Sequence, residues 1–315
     1  MTHLVEVVGP AVWTGEDLRE QDWLTVLDNA AIREIHELTA MLSAGGKRVN
    51  DLDLCDFQSI RSALWVQAAR RRLQGGPGFV ILRGLGAFEG SLEDAKIAYW
   101  GIGSVFGIPR VQNLEGDRIH VVADVENLCP GNTAPGGSTS NNEILAHTEN
   151  ARPPYPPWLI CLMCLAQGAI GGESLLYSGY ELHNRVLRRR PDLIPRLYQD
   201  FVFGRHAEDY PDGRRWDSWP VFRIVGGHLS IRYGRYWLDA AERESGIDMD
   251  PLAREAADVI DSILADNRMP VQFKLQPGDI LIVDNHKVLH ARAAFVDGPP
   301  PQSRRRLLRL WLDQG

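Results

Sequence analysis

Apolar residues in the first third of the chain recur at helical spacing. Leu24, Leu27, Ala31, Ile35, Leu38 and Leu42 fall on one face of a 3.6-residue period, and Gly45-Gly46 follows, so a helix is predicted from about residue 24. A second helical stretch covers about 56–74 and stops at Gly75-Gly76-Pro77-Gly78. FVILRGL at 79–85 reads as a buried strand, and SLEDAKIAYWGIGSVFG beyond it as another helix. From about residue 119 the texture changes to short apolar runs between Gly, Pro, Asn and Asp clusters. IHVVADV, EILAHTE, WLICLMCLA, GESLLYS, FRIVGGHLSIRYG, PVQFKL, DILIVDN and RLLRLWLD all read as strands. One strong helix interrupts them, opened by Asp250-Pro251, since Pro suits a first helical position. Many short strands with irregular connections predict a barrel or double sheet, with the N-terminal helices packed on it.

Composition narrows the partners. Of 315 residues, 44% are apolar and 24% charged, which is the profile of a soluble globular protein with a sizeable core. A net charge of −7 argues against nucleic acid or an anionic membrane, both of which favour basic surfaces. The first residues lack the pattern of a signal peptide, and no apolar run approaches the roughly 20 residues of a membrane span, so a cytoplasmic protein is expected. Cys161 and Cys164 spell C-x-x-C, but they sit in the apolar run WLICLMCLA. Three positions apart on a strand face opposite sides, so buried, reduced thiols fit better than a redox or zinc site.

The chemistry begins with His147-Thr148-Glu149. On a strand, His147 and Glu149 share a face; alone they are either two metal ligands or a chance pair. LQPGDILIVDNHKVLHARAAF at 275–295 adds a turn at Pro277-Gly278-Asp279, a buried strand delivering Asp284-Asn285, and then His290. SRRRLLRLWLD at 303–313 places arginines on a core-like strand, where each guanidinium needs a carboxylate partner. Two histidines and one carboxylate are the arrangement for non-haem Fe(II) with open positions, and a dicarboxylic cosubstrate would need a cation at its far end.

Together these residues resemble the taurine dioxygenase and clavaminate synthase-like family of Fe(II)/2-oxoglutarate-dependent oxygenases. The resemblance runs from GFVILRG at 78–84 to RLLRLWLD at 306–313, and includes His147-x-Glu149, Gly171-Gly172-Glu173-Ser174, Asp284-Asn285 and VLHAR with His290. It implies a mainly β fold with flanking α: a double-stranded β-helix (jelly roll) forming one oxygenase domain over 1–315. In that reading 1–77 is an N-terminal helical part, and 78–315 is the core with a helical insert at about 175–270. The resemblance assigns Fe(II) to His147, Glu149 and His290, and 2-oxoglutarate to Ser174 and Arg305. It places Arg309 near the substrate, with Asn150 and Arg235 as further candidate contacts. Strand alternation puts Arg305 and Arg309 on one face and Arg304 and Arg306 on the other.

The activity so implied is hydroxylation of an unactivated C–H bond by O2, with succinate and CO2 as coproducts. The substrate would be a small carboxylate-bearing metabolite: an amino acid or an intermediate of secondary metabolism. Arg232 and Arg235 hint at an anionic substrate, against the alternative of ordinary surface ion pairs. Desaturation and oxidative cyclisation stay open, and halogenation is disfavoured because Glu149 occupies the carboxylate position. A cupin-like, non-oxidative metal enzyme would leave Arg305, Arg309 and Ser174 unexplained. A non-catalytic binding module would be expected to lose a ligand. His286 is given a supporting or surface role. His36, His120, His183, His206 and His228 are given none, and homo-oligomerisation is left open.

Overall fold

Alternation along the late strands gives each of them two apolar faces, so each sheet must be covered on both sides. The computed structural model describes residues 5–86, 91–112, 116–124, 140–149, 156–204, 216–299 and 304–315. Its larger sheet runs Leu24–Val26, Phe79–Arg83, Ile280–Asp284, Leu159–Ala166, Arg306–Asp313 and Ile108–Pro109, with Ile119–Ala123 also paired to Arg306–Asp313. The smaller sheet runs Val271–Phe273, Ser174–Ser178, Val288–Arg292 and Ile144–His147. All these pairings are antiparallel except Leu24–Val26 with Phe79–Arg83.

Three apolar layers follow from the alternation. Leu308, Leu310 and Leu312 pack with Val80, Ile282 and Met163 against the helices Asn29–Ala44 and Leu92–Ser104. On the opposite face, Leu307, Phe79, Ile81 and Leu281 meet Leu176 and Val288 of the smaller sheet. The outer side of that sheet, through Tyr177 and Leu289, packs on the helices Gly179–Arg189 and Pro251–Leu264. The result is the expected jelly roll, mainly β with flanking helices. Cys161 and Cys164 fall in different layers, both buried and unpaired, as strand alternation requires. Cys129 lies outside the described residues. Among the described residues, no helix is long and apolar enough to cross a membrane.

Three expectations need correction. The first helix begins at Asn29, where the Asp28 side chain accepts from the Ala31 N–H at 2.8 Å. Leu24–Val26 is instead an edge strand, because pairing with Phe79–Arg83 outweighs the local helical pattern. The stretch at 56–74 divides into a 3-10 turn, Ser59–Ser62, and the helix Leu64–Gly75. Finally, Pro251–Leu264 is not the sole substantial helix among the later strands: Gly179–Arg189 and Arg235–Ser245 join it. The first of these carried a signal, since the Ser178 hydroxyl accepts from the Glu181 N–H, the Ser-x-x-Glu pattern of a helix start.

Candidate active site

Each residue of His147-Thr148-Glu149 has its own tether. His147 ends the strand Ile144–His147, opposite His290 in register. Its Nδ1–H donates to the Leu145 carbonyl at 2.8 Å, which leaves Nε2 as the lone-pair nitrogen. Thr148 is buried and stitched to Tyr233 by its N–H, 2.8 Å from the Tyr233 carbonyl, and by accepting the Tyr233 N–H at 3.0 Å. Glu149 is clamped by buried Asn285, whose Oδ1 accepts the Glu149 N–H at 2.8 Å while Nδ2 donates to the carbonyls of Glu149 and Pro157. Donor atoms of His147, Glu149 and His290 then all lie within 4.8 Å of one another. Glu149 Oε2 is 3.6 Å from His290 Nε2, and the two imidazole centroids are 4.2 Å apart.

The protonation states suit a metal. Burial, reinforced by His290, lowers the His147 pKa to about 4, so the ring is neutral near pH 7. Burial alone would raise the Glu149 carboxyl, but the Arg309 cation and the two histidines outweigh it and hold the group well below the usual carboxylate range. A neutral imidazole and an ionised carboxylate are the ligand forms that Fe(II) requires.

Facing Glu149 is the inner side of the strand Arg306–Asp313. Arg309 Nη1 donates to Glu149 Oε1 at 3.0 Å, and its Nε donates to Gln112 Oε1 at 2.9 Å. Its guanidinium lies 4.4 Å from the Trp311 ring centroid. Arg309 pairs in register with His120 on one side and with Leu162 on the other, so all three share one row. Burial and the Arg309 charge lower His120 to about 4, and its Nε2 is buried without a hydrogen-bond partner. Neither Gln112 nor His120 carried a motif that marked it.

Arg305 leaves the same face four residues earlier. It is 3% exposed, whereas Arg306 points to solvent, which fixes the register among the three consecutive arginines. Its Nε and Nη1 are buried with no partner, and burial lowers its pKa to about 10. Arg305 lies over Phe295, 5.2 Å from guanidinium carbon to ring centroid, and Arg292 lies over the same ring at 4.9 Å. Arg292 ties down the segment before the ligand strand by donating to the carbonyls of Ser140 and Asn142. Gly172 passes close: at φ +76° it adopts a conformation that favours glycine, and a Cβ there would stand 3.1 Å from Arg305 Cδ and Nε. Buried Ser174 lies two residues on, paired in register with Arg292. A buried cation with unpaired nitrogens is costly unless an anion completes it, so this cradle fits the distal carboxylate of a dicarboxylate.

Other expected contacts are employed elsewhere. Arg235 is engaged by Asp239, Asp258 and Asp261 at 2.7–2.9 Å, so it joins the helices Arg235–Ser245 and Pro251–Leu264 rather than serving as a free substrate anchor. Arg232 lies over the rings of Phe203 and Trp219. The hint of an anionic substrate therefore does not rest on those two. The chain nonetheless turns close to the site there, since a Cβ on Gly234 would stand 3.4 Å from His147 Cβ. Asn150 and His206 lie outside the described residues. His286 Nδ1 shares a hydrogen bond with the Ser230 hydroxyl at 3.0 Å.

A family model described as "Taurine catabolism dioxygenase TauD, TfdA family" matches residues 34–311. The chain belongs to the TauD/TfdA dioxygenase family. It is accordingly an Fe(II)/2-oxoglutarate-dependent dioxygenase. Among TauD/TfdA relatives, FR-33289 synthase of Streptomyces rubellomurinus is 26% identical over 311 residues, covering 98% of this chain and 90% of that one. Asparagine oxygenase, solved with Fe(II), 3-hydroxyasparagine and succinate, superposes with a TM-score of 0.70 at 19% identity, covering 92% and 93% of the two chains. The oxygenase OrfP, solved with Fe and α-ketoglutaric acid, gives a TM-score of 0.68 at 17% identity, covering 93% and 94%. At those identities the superpositions establish the TauD-like fold.

Proposed function

We propose that His147, Glu149 and His290 hold the Fe(II), that Arg305 and Ser174 hold the distal carboxylate of 2-oxoglutarate, and that the enzyme hydroxylates a small, carboxylate-bearing metabolite. Two observations carry this reading: three converging donor atoms and, four residues before the arginine that bonds Glu149, a buried arginine with two nitrogens that lack partners. When bound, iron and 2-oxoglutarate supply the O2-dependent oxidation, with succinate and CO2 as coproducts. The chain supplies positioning, charge and exclusion of water. Asn285 and Thr148 hold the ligand segment, Arg305 neutralises the cosubstrate, and Gly172 makes room for its guanidinium.

Arg309 and His120 form the polar part of the remaining wall, and Trp311, Ile160 and Leu162 the apolar part. A carboxylate on Arg309 with an aliphatic body against Trp311 is the substrate that such a wall fits. Relatives support an amino acid or similar intermediate: asparagine oxygenase was solved with 3-hydroxyasparagine and OrfP with (3S)-hydroxy-L-Arg. Those hydroxylated products favour hydroxylation over desaturation or ring closure. The reading takes residues 1–315 as one oxygenase domain, and the unpaired buried thiols fit a cytoplasmic setting.

The test is to load the protein with Fe(II) under argon, add 2-oxoglutarate, admit air and measure succinate, with and without a panel of free amino acids. Wild type is expected to form succinate only with Fe(II), and His290→Ala to fall to background. No 2-oxoglutarate binding together with no Fe(II)-dependent succinate would overturn the proposal.

A further inference from the structure

Gln112 has no sequence motif, yet it is buried and its whole side-chain amide is used. Nε2 donates to the carbonyls of Arg118 and Arg309, each at 2.8 Å, and Oε1 accepts from Arg309 Nε at 2.9 Å. The amide cannot be reversed, because both carbonyls need donors and the guanidinium needs an acceptor. Arg309 is thus held at Nε by Gln112 and stacked on Trp311, which sets the plane of its fork. In that plane only Nη1 bonds Glu149, and only at Oε1, while Oε2 faces His290.

We propose that Gln112 is a positioning residue that keeps Arg309 from closing as a two-pronged clamp on Glu149, and so reserves one carboxylate oxygen for the metal. An arginine beside a carboxylate ordinarily prefers two parallel hydrogen bonds, which would occupy both oxygens. Removing the tie at Nε frees the guanidinium to turn into that geometry, and the metal then competes with it for Oε2. Groups that orient a metal ligand commonly change metal affinity by about 10–100-fold when lost. The inference rests on the assignment of His147, Glu149 and His290 as the iron ligands.

The experiment is anaerobic equilibrium dialysis of the full chain against Fe(II). Gln112→Met, which removes the acceptor at similar volume, is expected to weaken Fe(II) binding about tenfold. Gln112→Glu keeps an acceptor for Arg309 Nε but, like Met, loses the donations to the two carbonyls, so it is expected to bind Fe(II) as well as wild type. In an Arg309→Met background the clamp cannot form, and Gln112→Met is expected to cause no further loss. Met and Glu variants that are equally weak, a Gln112→Met protein that equals wild type, or a loss that persists without Arg309 would each overturn the role of Gln112. Wild type that takes up no Fe(II), or Glu149→Ala that takes it up undiminished, would instead overturn the ligand assignment itself.

Discussion

Arg309 on the last strand and Arg305 one residue before that strand begins are four residues apart, continue one alternation, and stand in opposite surroundings. Arg309 has its partners within the chain: Glu149 at one nitrogen, Gln112 at another, and the Trp311 ring beneath. Arg305 is more deeply buried, and two of its nitrogens have no partner at all. Proteins seldom keep a buried guanidinium unsatisfied, because desolvation costs several kcal/mol per ion. A cation satisfied by the protein is scaffold as well as surface for a ligand; one left wanting is a socket for an anion from solution. In the proposed assignment, Arg305 is accordingly the cosubstrate end and Arg309 the metal-and-substrate end.

The largest effects should come from removing each charge in turn. Arg305→Met is expected to weaken 2-oxoglutarate binding about 100-fold, from the loss of charge-assisted hydrogen bonds worth roughly 1.5–3 kcal/mol each. The same change should stabilise the ligand-free protein by about 1 kcal/mol or more, since an uncompensated buried cation is replaced by an apolar chain. Arg309→Met should do the reverse to the fold, destabilising it by about 2–3 kcal/mol, because the Glu149 carboxylate loses its counter-charge. Urea denaturation of the ligand-free variants reads the two signs, and calorimetric titration with 2-oxoglutarate under anaerobic Fe(II) reads the affinity. If both substitutions destabilise alike, the contrast between the two arginines is lost.

A smaller and more local probe is Gly172→Ala. The residue sits at φ +76°, and the added methyl would crowd Arg305 at 3.1 Å. Backbone strain should cost about 1 kcal/mol, and displacement of the guanidinium should weaken 2-oxoglutarate binding about 3–10-fold. Fe(II) uptake without cosubstrate should stay at the wild-type value, because the Arg309 end is untouched. Equal losses in both titrations would mean that the two ends are not separable.

Local periodicity carried most of this architecture and the site's outline. His147 with Glu149, and Arg305 with Arg309, were legible as same-face pairs because strand alternation puts residues two or four apart on one face, whereas His290 joined them only through the family resemblance. Asn285 was visible as part of a motif, though not as the clamp on Glu149. Gln112 was not legible, since it stands in a nonperiodic segment and its partner Arg309 is 197 positions away. His120 looked like any histidine opening a strand; only the pairing of Ile119–Ala123 with Arg306–Asp313 places it beside Arg309. Arg235 erred in the opposite direction. Its proximity in sequence to a pocket-lining turn suggested a substrate contact, but its three aspartate partners come from two helices, and the strand-dominated reading had placed only one of them. Long-range pairing, not side-chain chemistry, was the missing information.

His120 gives the smallest test, and it asks whether the Arg309 end alone senses pH. Its folded pKa is about 4 against an ordinary 6.5, lowered by burial and then by Arg309. A histidine with a depressed folded pKa binds protons more readily when unfolded, so its neutral form contributes full stability above about pH 6.5. That contribution is lost as pH falls toward about 4, and nothing more is lost below it. His147 is lowered to a similar value, and His286 is lowered too, so part of the fall belongs to them. The side chains that act electrostatically on Arg305 include Cys164, whose thiol is raised to about 12, Asp297 and Arg292, none of them a histidine. In metal-free protein the urea midpoint should therefore drop between pH 7 and 5, and His120→Gln should make the drop shallower while leaving 2-oxoglutarate binding at pH 7.5 within about twofold of wild type. A His120→Gln protein that falls as steeply as wild type would show that burial beside Arg309 does not hold His120 neutral, and that the fall belongs to the other histidines.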